Sequence, residues 1–362
     1  MDIINHLKRL DWILIFLAIA LVSFGLISLY SSSLGDGDFS NFHKQILFFG
    51  IGISLMLFFS SFDWRTFKDN SYLILTLYFI CLILLAGLFF FAPEIRGVKS
   101  WYRIGSFSID PIEFAKIILI ILLAKYFSTR HVEMYQIRHI LLSGFYVLLP
   151  VILIFFQPDF GSVLILIALW VGVLIISGIK IPHLLLLFFC GILILTFTWM
   201  FLMKDYQKDR IINFISPTDP LGSGWSQNQA RIAVGSGGLI GQGIGSGSQT
   251  QHGFLPEPQT DFIFAAIAEE TGLMGVFILF SAFIAFFWRV SKIIFDTKNN
   301  FSRLFAMGFL VVLISQIFIH IGMNLGITPI IGISLPFVSY GGSGLIANFV
   351  ALGILLNIEA TK

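Results

Sequence analysis

The sequence predicts an all-α polytopic membrane protein of about ten transmembrane helices, with both termini inside and one large extracytoplasmic loop before the eighth span. Three observations carry that prediction. Apolar residues make up 57% of the 362 positions and charged residues only 12%, about half the charge that a soluble domain spreads over its surface. The apolar residues gather in runs long enough to cross a bilayer. Lys and Arg crowd into alternate connections between those runs. A soluble two-domain enzyme, a disulfide-rich secreted module and a disordered chain are thereby excluded. The net charge of +2 gives no footprint for nucleic acid. Cys81 and Cys190 lie inside apolar runs, which argues against a disulfide framework or a cysteine metal site.

In chain order the runs lie near residues 12–31, 45–62, 71–92, 112–127, 139–156, 160–177, 184–203, 262–288, 304–325 and 341–358. The first, from Trp12 to Tyr30, is long enough to span and is followed by others, so it reads as a signal-anchor helix. The fourth and sixth are short for a crossing, and Gln157-Pro158-Asp159 marks either a tight hairpin or a kink. Residues 1–362 therefore form one integral membrane domain, in which 204–260 is the longest connection and the first place to seek function. With the N-terminus inside, thirteen of the 22 Lys and Arg fall on cytoplasmic segments and eight on outer ones, while Lys116 lies within a span. Seven of the eight outer cations occupy two loops: Arg96, Lys99 and Arg103 in one, and Lys204, Lys208, Arg210 and Arg231 in the other.

Within the long loop, Gly235–Gly247 holds seven glycines in thirteen residues. Neither a P-loop nor a dinucleotide fingerprint fits its register, so a folded loop on the membrane surface is favoured over a nucleotide cradle, and a lipid-linked phosphate stays open. The loop then runs through Phe254-Leu-Pro-Glu257-Pro-Gln-Thr-Asp261 into an apolar helix. Asp261 reads either as an N-cap or as a general base, since a carboxylate beside apolar surface is made more basic. In the other basic loop, Asp110-Pro111 opens a helix on which Glu113 and Lys116 stand i,i+3 and can pair. An ionisable pair within a span is a site hypothesis by default, although it also serves to lock two helices. Gln316, His320 and Asn324 form one polar stripe suited to interhelical hydrogen bonds. Asp159 either caps the next helix or lines the outer cavity, and Glu269 and Glu270 hold helix ends or water at the interface. The physics thus reaches an integral membrane protein that handles an anionic, lipid-tailed substrate at its outer face.

These residues also carry a resemblance. Ile232-Ala-Val-Gly-Ser-Gly-Gly-Leu239, Phe254-Leu-Pro-Glu-x-x-Thr-Asp-Phe-Ile-Phe-Ala265, Glu269-Glu270-x-Gly272, Gly322-Met-Asn324 and Leu335-Pro-Phe-Val-Ser-Tyr-Gly-Gly-Ser343 together resemble the SEDS family of bacterial shape, elongation, division and sporulation proteins. Gln157-Pro-Asp-x-Gly161 and Pro111-x-Glu-x-x-Lys116 fit as well. The resemblance covers essentially the whole chain. Asp219-Pro-Leu-Gly222 and Gly247-Ser-Gln-Thr250 look more like the RodA branch than the FtsW branch. Two departures stand out: Asp110-Pro-Ile-Glu113 replaces a frequent Gln-Pro-Ser-Glu, and Ser100 replaces a frequent Arg before Trp101.

The resemblance implies a peptidoglycan glycosyltransferase that polymerises lipid II on the outer face of the cytoplasmic membrane, serving cell elongation and shape. It also implies a class B penicillin-binding protein as transpeptidase partner, besides membrane lipid and other elongation-complex proteins. The family's essential aspartate falls on Asp261, and its helix-borne Glu and Lys on Glu113 and Lys116. Asp261 is then the catalytic base. Glu113, Lys116, Arg103, Arg210, Arg231, Glu257 and Asp159 are the candidate substrate-binding residues. A divalent cation, Mg²⁺ or Mn²⁺, is compatible with a pyrophosphate leaving group. Gly322, Gly326 and Gly332 are the expected partner contacts, because small residues let helices approach. The rival readings are a flippase or transporter of the lipid-linked precursor, which would favour internal repeats, a division-specific FtsW-type polymerase, and a non-catalytic scaffold.

Overall fold

Each apolar run folds as a helix whose ends are set by local chemistry. The computed structural model describes residues 8–94, 99–105, 107–129, 137–203 and 224–361, with three single positions at 208, 212 and 214. Helix α1 (Trp12–Asp36) begins where Asp11 Oδ1 accepts from Leu14 N at 3.1 Å and stops at Gly37, whose φ is 70°. It is followed by α2 (Ser40–Ser61), the short α3 (Arg65–Asp69) and α4 (Ser71–Phe91), the last capped by Asn70. A two-stranded hairpin, β1 (Tyr102–Ile104) against β2 (Phe107–Ile109), leads into α5 (Pro111–Ser128), with Asp110 as N-cap. Helices α6 (Ile137–Phe156) and α7 (Phe160–Ile176) pack on each other, so the break at 157–159 is a hairpin rather than a kink. Then come α8 (Ile181–Phe201), α9 (Trp225–Ser236) and α10 (Ser248–Gln251). The chain closes with α11 (Ile263–Asp296), α12 (Asn300–Leu325) and α13 (Gly342–Ala360).

Eight of these helices are long and apolar enough to cross a membrane. Of the two remaining runs, α7 is apolar but short, and α5 carries Glu113, Lys116 and Lys125. Helices α2 and α11 outrun their apolar stretches by several residues, because polar turns such as Ser40-Asn41 and Arg289–Asp296 stay helical beyond the hydrocarbon. The protein is a multi-pass membrane protein. The exposed apolar side chains agree: α8 buries none of its residues, which in a bilayer means that it faces lipid.

The buried centre is built by α12, which packs on α5, α7 and α11, and by α13 lying along α2. At the end holding the chain termini, Arg289 pairs with Asp11, and Trp64 N donates to Asn357 Oδ1 at 3.1 Å. The opposite end holds the long loop. There α11 is interrupted at Gly272 (φ 64°, ψ −166°), and the glycine-rich segment fills the break: Gln242 N and Gly243 N donate to the carbonyls of Glu269 and Glu270, while Leu273 N and Met274 N donate to those of Gly238 and Leu239. A Cβ on Gly241 or Gly272 would overlap the other segment's backbone. The glycines are thus there for close backbone approach.

Two buried carboxylates fasten the same segment. Glu269 accepts from Gln249 N (2.6 Å), Thr250 N (3.1 Å), Thr250 Oγ1 (2.7 Å) and Ser248 Oγ (3.3 Å). Glu270 accepts from Ser31 Oγ on α1 and from Gly245 N. Their role is to anchor the loop rather than to finish a helix.

Candidate active site

The site lies at the loop end, where four pieces of chain converge: the start of α5, the α6–α7 turn, the extended segment 327–341 and the entry to α11. On α5 the Glu113 carboxylate and the Lys116 ammonium pair at 2.7 Å, with side-chain exposures of 15% and 5%. Asp110 sits one turn before them, its Oδ1 accepting from Ile112 N at 2.9 Å and its own N donating to Ser343 Oγ on α13 at 2.8 Å. From α7, Asp159 accepts from Ser162 N (3.0 Å) and Ser162 Oγ (2.7 Å). It caps the helix, and its charge also interacts with those of Lys116 and Glu113. Burial raises the Asp110 carboxyl well above its ordinary range, aided by the Glu113 and Asp159 charges and opposed by the Ile112 hydrogen bond and Lys116. Burial raises Asp159 too, against its Ser162 hydrogen bonds and the Lys116 charge.

The segment 331–333 links this cluster to Asp261. A Cβ on Gly161 would lie 2.9 Å from Ile331 O, and one on Gly332 would lie 3.7 Å from Asp261 Oδ2. His320 Nδ1 holds the segment through Ile333 O at 2.7 Å. Asn324 holds the other side: its Nδ2 donates to Asp261 O (3.0 Å), and its Oδ1 accepts from Ala265 N (3.0 Å) in the first turn of α11. Ser339 Oγ donates to Thr260 O at 2.9 Å. Of the polar stripe on α12, Asn324 bonds to the segment that presents Asp261 and His320 to the 327–341 segment, whereas Gln316 Oε1 is buried with no hydrogen-bond partner among the described residues.

The N-cap of α11 is Phe262, with no capping side chain at that position, and the amide of Ala265 is satisfied from α12. Glu257 shapes the turn before it, with a left-handed φ of 46° and a carbonyl accepting from Thr260 N and Phe262 N at 3.2 Å each.

The other cations are placed differently. Arg231 on α9 donates to Leu325 O (3.4 Å) and Gly326 O (2.9 Å), closing the C-terminus of α12. Arg103 is exposed on β1 opposite Ser108, and Arg210 lies outside the described residues. A Cβ on Gly322 would press on Thr328, one on Gly326 would overlap the Arg231 side chain, and one on the exposed Gly332 would approach Asp261. Asp110 and Asn324 were the residues whose place in the site was hidden in the sequence. The one reads as a helix cap, and the other as one member of a stripe. Among the described residues no three His, Cys, Asp or Glu side chains stand together to hold a metal.

The match to known proteins runs the length of the chain. A family model described as cell cycle protein, covering FtsW, RodA and SpoVE, matches residues 10–362. The chain belongs to this family. It is similar to the stage V sporulation protein E of Bacillus subtilis, 34% identical over 96% of each chain. It is similar also to the peptidoglycan glycosyltransferase MrdB of Escherichia coli, 33% identical over 98% of this chain and 94% of the other. A solved structure of a peptidoglycan synthase complex, described as coordinating polymerisation and crosslinking, superposes with a TM-score of 0.82 at 29% identity over 97% of both chains. The Thermus thermophilus rod shape determining protein RodA superposes with a TM-score of 0.72 at 27% identity, over 97% and 96%. The likeness to these solved structures covers 97% of this chain.

Proposed function

We propose that this chain is a peptidoglycan glycosyltransferase that polymerises lipid II at the outer face of the cytoplasmic membrane. Relatives similar over nearly the full length bear that name, MrdB of Escherichia coli and RodA of Treponema pallidum among them. The observation that carries the mechanism is how the chain presents Asp261 at the start of α11. Asn324 donates to the Asp261 carbonyl and accepts from the Ala265 amide, and the Asp261 carboxylate stands beside Gly332 of the segment that runs to the charged cluster. Asp261 is then the base that takes the proton of the acceptor sugar hydroxyl. The freed oxygen attacks the anomeric carbon of the donor, the bond to undecaprenyl pyrophosphate breaks, and the leaving group carries away the electron pair. A single direct displacement inverts that carbon. Charge developing on the pyrophosphate needs fixed cations; Lys116 is the one held in place within the site, with Arg103 and Arg210 on outer loops. A divalent ion would draw most of its oxygens from the pyrophosphate itself, and no step depends on it here.

The RodA-type role in elongation, with a class B penicillin-binding protein as transpeptidase, rests on Asp219-Pro-Leu-Gly222 and Gly247-Ser-Gln-Thr250 and on the solved complex to which this chain is similar. The test is to incubate purified protein with lipid II, with and without the cognate penicillin-binding protein, and to resolve products by gel. Glycan strands are expected in at least the complexed sample. Lipid II that moves across a vesicle membrane without polymerising would instead establish a flippase.

A further inference from the structure

At the end of the bundle that carries the termini, α4, α5 and α6 line a half-open cavity of about 370 Å³. Its lining is divided by depth. Ser71 is the first residue of α4, and Lys125 and Thr129 close the last turn of α5. Ile74, Leu75 and Leu122 lie about one turn further into the membrane. A cation and two hydroxyls thus form the mouth, with Ile74, Leu75 and Leu122 as an apolar floor beneath it and Tyr126 and Tyr146 completing the lining. The Lys125 ammonium has three donors; one goes to the carbonyl of Lys68 at the end of α3. Arg65 and Lys68 stand on α3, and Arg138 on α6 precedes His139, whose Nδ1 meets the Tyr126 hydroxyl at 2.9 Å. Among the described residues of this stretch the acids are Asp63, 3.8 Å from Arg65, and Asp69, so cations are in excess there. Along the adjacent flank of α4, Tyr72, Phe79 and Ile83 are exposed, which puts the cavity at the lipid boundary.

We propose that this cavity is a binding site for an anionic glycerophospholipid, with Lys125 and the two hydroxyls on the phosphodiester and the acyl chains over Ile74, Leu75 and Leu122. A tailless phosphate would leave the apolar floor unused, and a zwitterionic lipid would gain little from the excess of cations. Basic pockets between helices on the cytoplasmic side are suited to such headgroups. The site is independent of the catalytic reading.

The experiment is a thermal unfolding titration of the purified full-length protein in neutral detergent with phosphatidylglycerol, phosphatidylcholine or inorganic phosphate. Phosphatidylglycerol is expected to raise the apparent Tm by about 2 °C or more, with the other two giving no comparable shift. Lys125→Gln should lose at least half of the shift, as should Leu75→Trp, which fills the floor and keeps the charge. Lys125→Arg should retain it. An equal shift with inorganic phosphate would mark a free-anion site, and an equal shift with phosphatidylcholine a merely apolar one. An undiminished shift in both Lys125→Gln and Leu75→Trp would place the lipid elsewhere. Each of these three results overturns the proposal. Native mass spectrometry, counting phosphatidylglycerol retained by each variant, keeps the comparison decisive if a substitution changes intrinsic stability.

Discussion

Lys116 faces three carboxylates, Asp110, Glu113 and Asp159, in a water-poor setting. Burial makes Asp110 and Asp159 resist ionisation, and the Lys116 charge opposes this only in part. The raised carboxyl of Asp110 has a consequence of definite sign: a buried acid raised above its unfolded value stabilises the fold while protonated, and that contribution is lost as pH rises from about 4 through the folded value. Asp110→Asn keeps the cap on Ile112 and removes the charge. Its apparent Tm relative to wild type is therefore expected to climb with pH over that window in detergent-solubilised protein. A difference that stays flat between pH 4 and 8 would show that Asp110 ionises normally.

At the scale of elements, the fold works by interlocking broken pieces. The interruption of α11 at Gly272 leaves backbone groups that the 237–243 segment satisfies, and Glu269 then fixes the following turn by four hydrogen bonds. Glu269→Ala leaves buried amides at Gln249 and Thr250 without their acceptor, a loss of the order of 3–5 kcal/mol. It should appear as faster protease cleavage within 242–251, while Glu257→Ala, on the next turn, should leave that rate unchanged. The helices themselves were legible in the sequence, because runs such as Trp12–Tyr30 have only one way to satisfy their backbone in lipid. The pairing of Glu113 with Lys116 was legible from i,i+3 spacing. What spacing does not encode is which distant segment meets which. That Arg231 closes α12, that Asn324 starts α11, and that Gly326 leaves room for the Arg231 side chain are tertiary facts. They pair residues 59–95 positions apart.

For the whole molecule, the two ends of the bundle have opposite characters: a charged, hydrogen-bonded site under the long loop, and a cation-rich end at the termini. From the Lys and Arg asymmetry the loop end is expected to face outward. A cysteine introduced at Ser246 should accordingly react with a membrane-impermeant reagent added outside intact cells, and one at Asn299 should not; reversed labelling would invert every functional assignment. The central claim is that this outward site makes glycan and that Asp261 is its base, and one variant tests both at once. Asn is as good a cap as Asp, and it retains the backbone that Asn324 holds, so Asp261→Asn should insert and unfold like wild type. A positioned base contributes about 10²–10⁴-fold in rate. The account predicts that Asp261→Asn, assayed with lipid II beside wild type at matched Tm and partner occupancy, polymerises at least about 100-fold more slowly; polymerisation within a few-fold of wild type would contradict it.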